Sequence, residues 1–169
     1  DKLWFFTGLQ YLYTRETLFG PTGEKAPLIE KNPRFIAKLT YQPNQDNTLQ
    51  GLITRDNPNS TGEDGEAALP EATGFDERPL WFWNFGWISF LKAETFLDVR
   101  TRGVAGPRNI TGRDPDLPGH SDDVTGINSQ NYCCYLISHR MRNYVNASLS
   151  HYANNFLIGN HDFKFGVQY

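Results

Sequence analysis

The sequence predicts an all-β protein whose antiparallel strands run up and down, joined alternately by tight turns and long loops. No helical period of apolar residues persists for three turns, whereas strict apolar/polar alternation recurs along the chain. Aromatic residues make up 14% of the 169 residues, and 15 glycines and 10 prolines provide frequent turns. We expect one all-β domain over residues 1–169 or a fragment of a β-barrel, with a β-sandwich as the alternative.

The first three predicted strands are defined by alternation. Residues 3–13 place large apolar side chains at odd positions, with Leu3, Phe5 and Leu9 on one face. Residues 34–42 follow with Phe35 and Leu39 on the face opposite their charged neighbours. Residues 48–55 repeat the pattern more weakly. Side chains two positions apart share one face of a strand, so each segment has an apolar side and a polar side.

Four more strands complete the predicted set of about seven. Residues 81–87 place three tryptophans on one face, and residues 95–102 form the next strand. Residues 144–152 alternate small apolar side chains with Asn and Ser. The last strand, "HDFKFGVQY" at residues 161–169, has aromatic side chains on one face and charged or amide groups on the other. Such two-sided strands are typical of a sheet with different environments on its two faces.

The connections between these strands alternate in length. Residues 42–48, 91–94 and 153–160 are short, whereas residues 15–33, 56–79 and 103–140 are long and rich in Gly, Pro, Asn and acidic side chains. In an up-and-down sheet, every second connection emerges at the same end. Outer-membrane barrels have short turns at one end and long loops at the other, so the pattern favours that architecture over a small sandwich.

Composition excludes several function classes. The formal net charge of −3 does not favour a nucleic-acid partner. The mean hydropathy is −0.56, and no apolar run is long enough for a transmembrane helix, although a transmembrane barrel remains compatible. Because adjacent cysteines rarely bridge, we expect Cys133 and Cys134 to be free thiols. The sequence begins at Asp1, which indicates either a cleaved signal peptide or an internal piece of a longer chain.

The segment "PLWFWNFGW" provides the candidate ligand-binding residues Trp81, Trp83 and Trp87. Three interpretations remain open. The indole rings could form an aromatic girdle at a membrane interface, the core of a soluble sheet, or a platform on which sugar rings stack.

The segment "RDPDLPGHSDD" provides the candidate metal ligands. Carboxylate oxygens at alternate positions suit Ca²⁺, and a histidine with carboxylates suits a transition metal, although no EF-hand spacing is present. No cofactor is required, and a solvated acidic turn is the alternative. The candidate ligands are Asp114, Asp116, His120, Asp122 and Asp123.

No catalytic motif is present. Glu94 and Asp98 are four residues apart on one strand, which separates them by roughly 13 Å. That distance exceeds the roughly 5–10 Å needed by a glycosidase carboxylate pair. The chain also lacks nucleophile-elbow, zinc-protease and P-loop patterns, so catalysis is not the favoured function.

Several segments resemble the barrel strands of TonB-dependent outer-membrane receptors, in the Oar-like subgroup with a carboxypeptidase-regulatory-like N-terminal domain. They are "HYANNFLIGNHDFKFGVQY" (151–169), "NASLSHYA" (146–153), "FLKAETFLDVR" (90–100) and "RFIAKLTYQPNQDNTLQG" (34–51). The resemblance implies a 22-stranded barrel with a plug domain, which takes up siderophores, cobalamin, carbohydrates or peptides. The chain has no plug, no TonB box and too few strands, so the resemblance implies a middle section of such a receptor, or a small protein derived from one.

Two functions follow as hypotheses. The first is a section of a receptor or transport barrel in the bacterial outer membrane, in contact with lipid, with ligand-binding loops and no catalysis. The second is a free-standing secreted β-sandwich or small barrel that binds or cleaves a carbohydrate. It would use the three tryptophans as a platform and the acidic loop for metal or acid chemistry.

Overall fold

The computed structural model describes residues 2–169 and confirms the all-β antiparallel class. Eleven strands and one 3₁₀ helix, Pro70–Ala72, make up its regular structure. The strands are β1 (Leu3–Phe19), β2 (Lys25–Asn44), β3 (Asn47–Asp56), β4 (Asn59–Glu63), β5 (Gly74–Glu77), β6 (Leu80–Lys92), β7 (Thr95–Thr111), β8 (His120–Ser121), β9 (Asn128–Ser129), β10 (Leu136–Ala153) and β11 (His161–Gln168). No helix in the described residues is long and apolar enough to cross a membrane.

Nine of the strands form one sheet with seven positions across it. The order is β1, β2, β3, β6, β7, β10 and β11, and every neighbouring pair is antiparallel. β4 continues the position of β3 beside β2, and β5 continues the position of β6 beside β7. β8 and β9 form a separate two-stranded ribbon. All seven predicted strands are therefore confirmed, and they follow the chain in up-and-down order.

The strands extend much further than predicted at one end of the sheet, so the predicted long loop at residues 15–33 is wrong. β1 and β2 stay in register from Leu3↔Tyr41 to Phe19↔Lys25. The connection between them is a tight turn closed by a hydrogen bond from Gly20 N to Glu24 O at 2.9 Å. The Gly, Pro, Asn and acidic composition of residues 15–33 predicted a loop, but Pro27 and Pro33 occupy strand positions in β2.

The other two long connections are also shorter than predicted. Residues 56–79 include β4 and β5, which leaves residues 64–73 as the loop. Residues 103–140 include the ends of β7 and β10, which leaves residues 112–135. The opposite end of the sheet has short connections at residues 45–46, 93–94 and 154–160, as predicted.

Four prolines lie along one line across the sheet, which we call the proline line: Pro33, Pro58, Pro79 and Pro107. It marks the interruptions between β3 and β4 and between β5 and β6. The amide of Asn57 donates to Pro33 O at 3.2 Å, and the amide of Arg78 donates to Pro58 O at 2.9 Å. Proline has no N–H to give to the ladder, so it is tolerated where pairing is interrupted.

The sheet is a single layer. Among residues 2–169, substantial contacts between the sheet strands occur only between hydrogen-bonded neighbours. The accessible surface is 11598 Å², whereas a compact monomer of 19.3 kDa exposes about 8,500 Å². The buried apolar residues in the described chain are few: Ala26, Ala68, Ala72 and Tyr132. All four lie beyond the proline line, at the end with the larger loops.

The expectation of free thiols is wrong. Cys133 and Cys134 are joined by a disulfide between adjacent residues, whose Cα atoms are 3.7 Å apart. The usual Cα separation in disulfides is that of residues far apart in the sequence. Whether two adjacent cysteines can bridge depends on the backbone geometry of their loop, and the sequence does not determine that geometry. The bridge lies on the exposed surface, just after buried Tyr132.

Candidate functional site

The two faces of the sheet differ in chemistry. One face has an unbroken apolar row, whereas the other mixes charged and amide groups with apolar side chains such as Trp4, Phe6 and Phe82. Directly paired residues point to the same face, so the register identifies each face without ambiguity. One row crosses all seven strand positions with apolar side chains only: Leu3, Tyr41, Leu49, Trp87, Val99, Ala147 and Val167. We call this side the apolar face and the opposite side the polar face.

The apolar face has a limited height. On β7 it runs from Leu97 to Ala105, which is nine residues and about 27 Å along the strand. A tilted strand needs about 9–11 residues to cross the hydrocarbon layer of a membrane. Beyond the proline line, the same face is polar at the central strand positions. The row there is Lys31, Asn59, Glu77 and Asn109, flanked by Tyr13 on β1 and Ile137 on β10. The apolar face is therefore a band of membrane-like height.

The three candidate tryptophans share the apolar face of β6, as the sequence predicts. The guanidinium carbon of Arg55 lies 4.8 Å from the Trp81 ring centroid. Trp87 Nε1 donates to Asn47 Oδ1 at 3.0 Å. Trp83 lies between them, against Gly103, where an added Cβ would come within 2.3 Å of the indole. Trp81 and Trp87 thus have polar partners near the two borders of the band.

A shallow groove of about 610 Å³ crosses the apolar face at Gly51. Gly51 has no side chain to fill the space between Leu39 and Phe85, and Phe85 leans over it at 3.2 Å from an added Cβ. Aromatic and aliphatic side chains form most of its walls. Sites for polar ligands combine apolar walls with several converging hydrogen-bonding groups. This groove therefore suits a hydrocarbon chain better than a sugar.

An ion pair fixes the loop end of the sheet. The side chain of Asp76, on β5, is only 2% exposed. Its carboxylate accepts hydrogen bonds from Arg108 Nε at 3.1 Å and Nη2 at 2.6 Å. Arg78 Nε lies 3.5 Å from the same carboxylate. Such a forked arginine contact satisfies a buried charge and ties β5 to β7.

The loop at residues 112–135 is organised by buried Asn131. Its Nδ2 donates to Leu117 O at 2.6 Å and to Tyr135 Oη at 2.9 Å. Its Oδ1 accepts from the amide of Arg113 at 3.1 Å. Next to it, burial raises the pKa of Tyr132 to about 12, with a hydrogen bond to Asp64 adding to the effect. This loop therefore has a defined hydrogen-bonded structure.

The candidate metal ligands are used in local turns. Asp114 Oδ1 accepts from the amide of Asp116 at 2.9 Å. Asp122 Oδ1 accepts from the amide of Val124 at 2.8 Å, and such bonds lower the pKa of Asp122. His120 lies in β8, paired with Ser129.

In the part of the chain that the structure describes, no three His, Cys, Asp or Glu side chains form a group that could hold a metal ion. Asp114, Asp116, His120, Asp122 and Asp123 therefore stay a sequence prediction without supporting geometry.

The polar face contains a feature that sequence reasoning missed. Arginines of β7 and β10, including Arg102, Arg140 and Arg142, lie close together there because of the register between the two strands. The two strands are separated in the sequence by the loop at residues 112–135. Their register could not be derived from alternation alone, which gives only the face of each residue.

No protein-family profile, curated protein sequence or solved structure matches this chain.

Proposed function

We propose that this chain forms a section of the wall of an outer-membrane β-barrel that takes up or binds a small-molecule ligand. Its apolar face contacts lipid, and its polar face lines the lumen. One observation carries the proposal: apolar side chains cross all seven strand positions, and nothing in residues 2–169 covers them. Soluble monomers rarely expose a contiguous apolar patch beyond a few hundred Å².

The height and borders of the band support a lipid-facing role. Strands of outer-membrane barrels alternate apolar side chains outward and polar side chains inward, with aromatic girdles at both interfaces. Trp81 and Trp87 fit such girdles because each ring keeps a polar partner at the border of the band. Trp83 and Phe85 lie between them, where the hydrocarbon would be.

The two sheet edges support a larger assembly. β1 pairs only with β2, and β11 pairs only with β10, so each outer edge leaves backbone groups without a strand partner among the described residues. In the hydrocarbon layer of a membrane, each backbone N–H or C=O without a hydrogen-bond partner costs several kcal/mol of free energy. A barrel avoids this cost because every strand edge is paired with another strand. The proposal therefore includes further strands that pair with β1 and β11.

The unequal ends of the sheet support an orientation. The loops at residues 64–73 and 112–135 lie beyond the proline line, and Asp76, Arg108 and Asn131 hold this end in a defined conformation. Outer-membrane barrels place their long loops outside the cell and short turns in the periplasm. These two loops would therefore provide the outer contacts of a ligand, without catalysis.

The alternative is a secreted carbohydrate-binding protein with Trp81, Trp83 and Trp87 as a stacking platform. The exposure of Trp81 (41%) and Trp87 (40%) favours it. That function needs only the tryptophan strand to face the ligand. It does not account for the apolar residues of the other six strand positions, so the barrel wall is the stronger proposal.

Detergent dependence tests the proposed function. We expect the chain to give a β-rich circular dichroism spectrum and a monodisperse particle only with detergent or lipid, because the apolar face needs a hydrocarbon environment. A folded, monodisperse monomer in plain buffer would contradict the proposal.

A matched pair of variants sharpens this test. The triple variant Leu39→Gln, Phe85→Gln, Val145→Gln changes the apolar face and should bind less detergent. The triple variant Leu52→Gln, Phe82→Gln, Tyr144→Gln changes the polar face and should bind as much as the wild type. The register places each set on its own face.

A further inference from the structure

The polar face of β7 and β10 has one arginine in each of five consecutive rows. We call this set the arginine column. The register pairs Arg100 with Asn146, Arg102 with Tyr144, Val104 with Arg142, Gly106 with Arg140 and Arg108 with Ser138. The arginine lies on β7 in the first two rows, on β10 in the next two and on β7 again in the last. Because no row lacks an arginine, the column is continuous between the two ends of the sheet.

The column is long enough to contact several groups of one ligand. Successive rows on one face are two residues apart, or about 6.8 Å along the strand. The five rows therefore extend over about 27 Å. This length begins beyond the proline line, beside Asp76, and ends near Asp98.

The two ends of the column are neutralised, and its middle is not. Arg108 is paired with Asp76 at 2.6 Å, and Arg100 is paired with Asp98 at 2.9 Å. Among residues 2–169, no carboxylate lies within ion-pair distance of Arg102, Arg140 or Arg142. All three are exposed, and Arg102 lies 5.3 Å from the centroid of the Tyr144 ring.

Three neighbouring guanidinium groups without a counter-charge are unfavourable in a sheet, because like charges on adjacent positions repel. The chain as a whole has a net charge of −3, so this local excess of positive charge does not reflect a basic composition. An arginine fork binds phosphate or carboxylate oxygens through two parallel hydrogen bonds. The arrangement therefore offers a row of oxyanion sites.

We propose that Arg102, Arg140 and Arg142 bind a soluble polyanion that carries several phosphate or carboxylate groups, and that the column guides it along the polar face. The inference rests on the proposed function, because the ligand reaches the column through a lumen. It adds to that function the chemical class of the ligand.

Binding of inorganic triphosphate to the full chain in uncharged maltoside micelles tests the inference by calorimetry. We expect saturable binding that weakens as sodium chloride is added, since salt screens the charges. The triple variant Arg102→Gln, Arg140→Gln, Arg142→Gln should bind at least about tenfold more weakly, because it loses several charge-assisted hydrogen bonds. Absence of binding by the wild type would overturn the inference.

A matched variant removes the same charge elsewhere. Arg15→Gln, Lys25→Gln, Lys31→Gln lies outside the column, on exposed positions of β1 and β2. Its affinity for triphosphate should stay within about twofold of the wild type. Equal weakening in both triple variants would show general charge attraction and would overturn the inference. The single variant Arg142→Lys keeps the charge but loses the fork, so it should also weaken binding.

Two further results separate the possible failures. Phosphatidylglycerol added to the micelles should leave triphosphate affinity unchanged; competition would assign the column to a lipid headgroup and overturn the soluble ligand. If the chain fails to associate with detergent, the proposed function fails. If it associates normally and triphosphate does not bind, only the arginine column proposal fails.

Discussion

The side chains of neighbouring residues face two different environments in this sheet. Leu39 lies in the middle of the apolar face, in the row that contains Phe5, Gly51 and Phe85. Gln50, on the next strand, lies on the polar face in the row that contains Trp4 and Thr40. A single substitution at each position therefore probes one environment.

An arginine on the apolar face should be costly. We expect Leu39→Arg to lower the free energy of unfolding in lipid vesicles by about 2–4 kcal/mol, the cost of an arginine at the bilayer midplane on a barrel's lipid face. Gln50→Arg should change it by less than about 0.5 kcal/mol, as is usual for a solvated surface position. Denaturant titration followed by tryptophan fluorescence measures both. Equal costs for the two variants would mean that the faces have the same environment.

The loop end contains a tyrosine, Tyr132, whose pKa is raised in the folded chain. Burial raises the pKa of the Tyr132 hydroxyl to about 12 in the folded chain, from an ordinary value of 10.0. Between these values the unfolded chain loses its proton while the folded chain keeps it, so unfolding becomes easier as pH rises. The contribution of Tyr132 is complete below pH 10 and is lost as pH approaches about 12.

The variant Tyr132→Phe should therefore lose less stability than the wild type when the pH is raised from about 9 to about 11. Tyr169→Phe is the control, because Tyr169 is 90% exposed; its pH response should equal that of the wild type. Chemical denaturation at the two pH values measures this difference. A wild-type response in Tyr132→Phe would show that Tyr132 is not the titrating group.

At the scale of the elements, the strand segments and their faces could be predicted, and their lengths could not. Alternation from Leu3 to Tyr13 and from His161 to Tyr169 identifies the face of every side chain, and the register confirms it. Pro33 and Pro107 lie in two of the predicted long loops, residues 15–33 and 103–140, and proline cannot donate to a ladder. In the sheet, both lie at the proline line, where neighbouring strands are themselves interrupted. A proline causes no loss of a ladder hydrogen bond where the neighbouring strand is interrupted. A single sequence does not show which residues of two strands lie opposite each other, so these positions could not be predicted.

The backbone is tightest at the proline line. A Cβ added to Gly106 would come within 1.9 Å of Pro79 O, whereas one added to Gly86 would find its nearest neighbour, Arg100 Cγ, at 3.8 Å. We expect Gly106→Ala to lower the free energy of unfolding by about 1–3 kcal/mol, since β7 would have to shift away from β6.

Gly86→Ala is the matched control on β6. It should be neutral or slightly stabilising, because glycine lowers the stability of a strand interior by roughly 0.5–1 kcal/mol relative to alanine. Denaturant titration in detergent compares the two variants. Equal stability of both would show that β6 and β7 do not approach closely at the proline line.

The candidate site was predictable only in part, for a physical reason. The shared face of Trp81, Trp83 and Trp87 follows from two-residue periodicity within one strand. The Asp76–Arg108 pair and the arginine column depend on which residues lie opposite each other across strands, and periodicity does not determine this. In the acidic loop, the sequence predicts a site that the structure does not support. The carboxylates of Asp114 and Asp122 accept hydrogen bonds from backbone amides of their own turns.

At the scale of the whole molecule, the surface area is the main constraint. The chain exposes about 3,000 Å² more than a compact monomer of its mass. Most large apolar side chains of the sheet are exposed, while the few buried residues cluster at the loop end. The apolar face is uncovered among the described residues, and its height is the observation on which the proposed contact with lipid depends.

Tryptophan quenching by lipids brominated at the middle of the acyl chain tests this claim most directly. One variant keeps only Trp83, on the apolar face, and a second keeps only Trp4, on the polar face, with phenylalanine at the other three tryptophan positions. We predict strong quenching of Trp83 and weak quenching of Trp4 in vesicles. Equal quenching of the two, or no quenching of Trp83, would contradict a sheet whose apolar face contacts lipid.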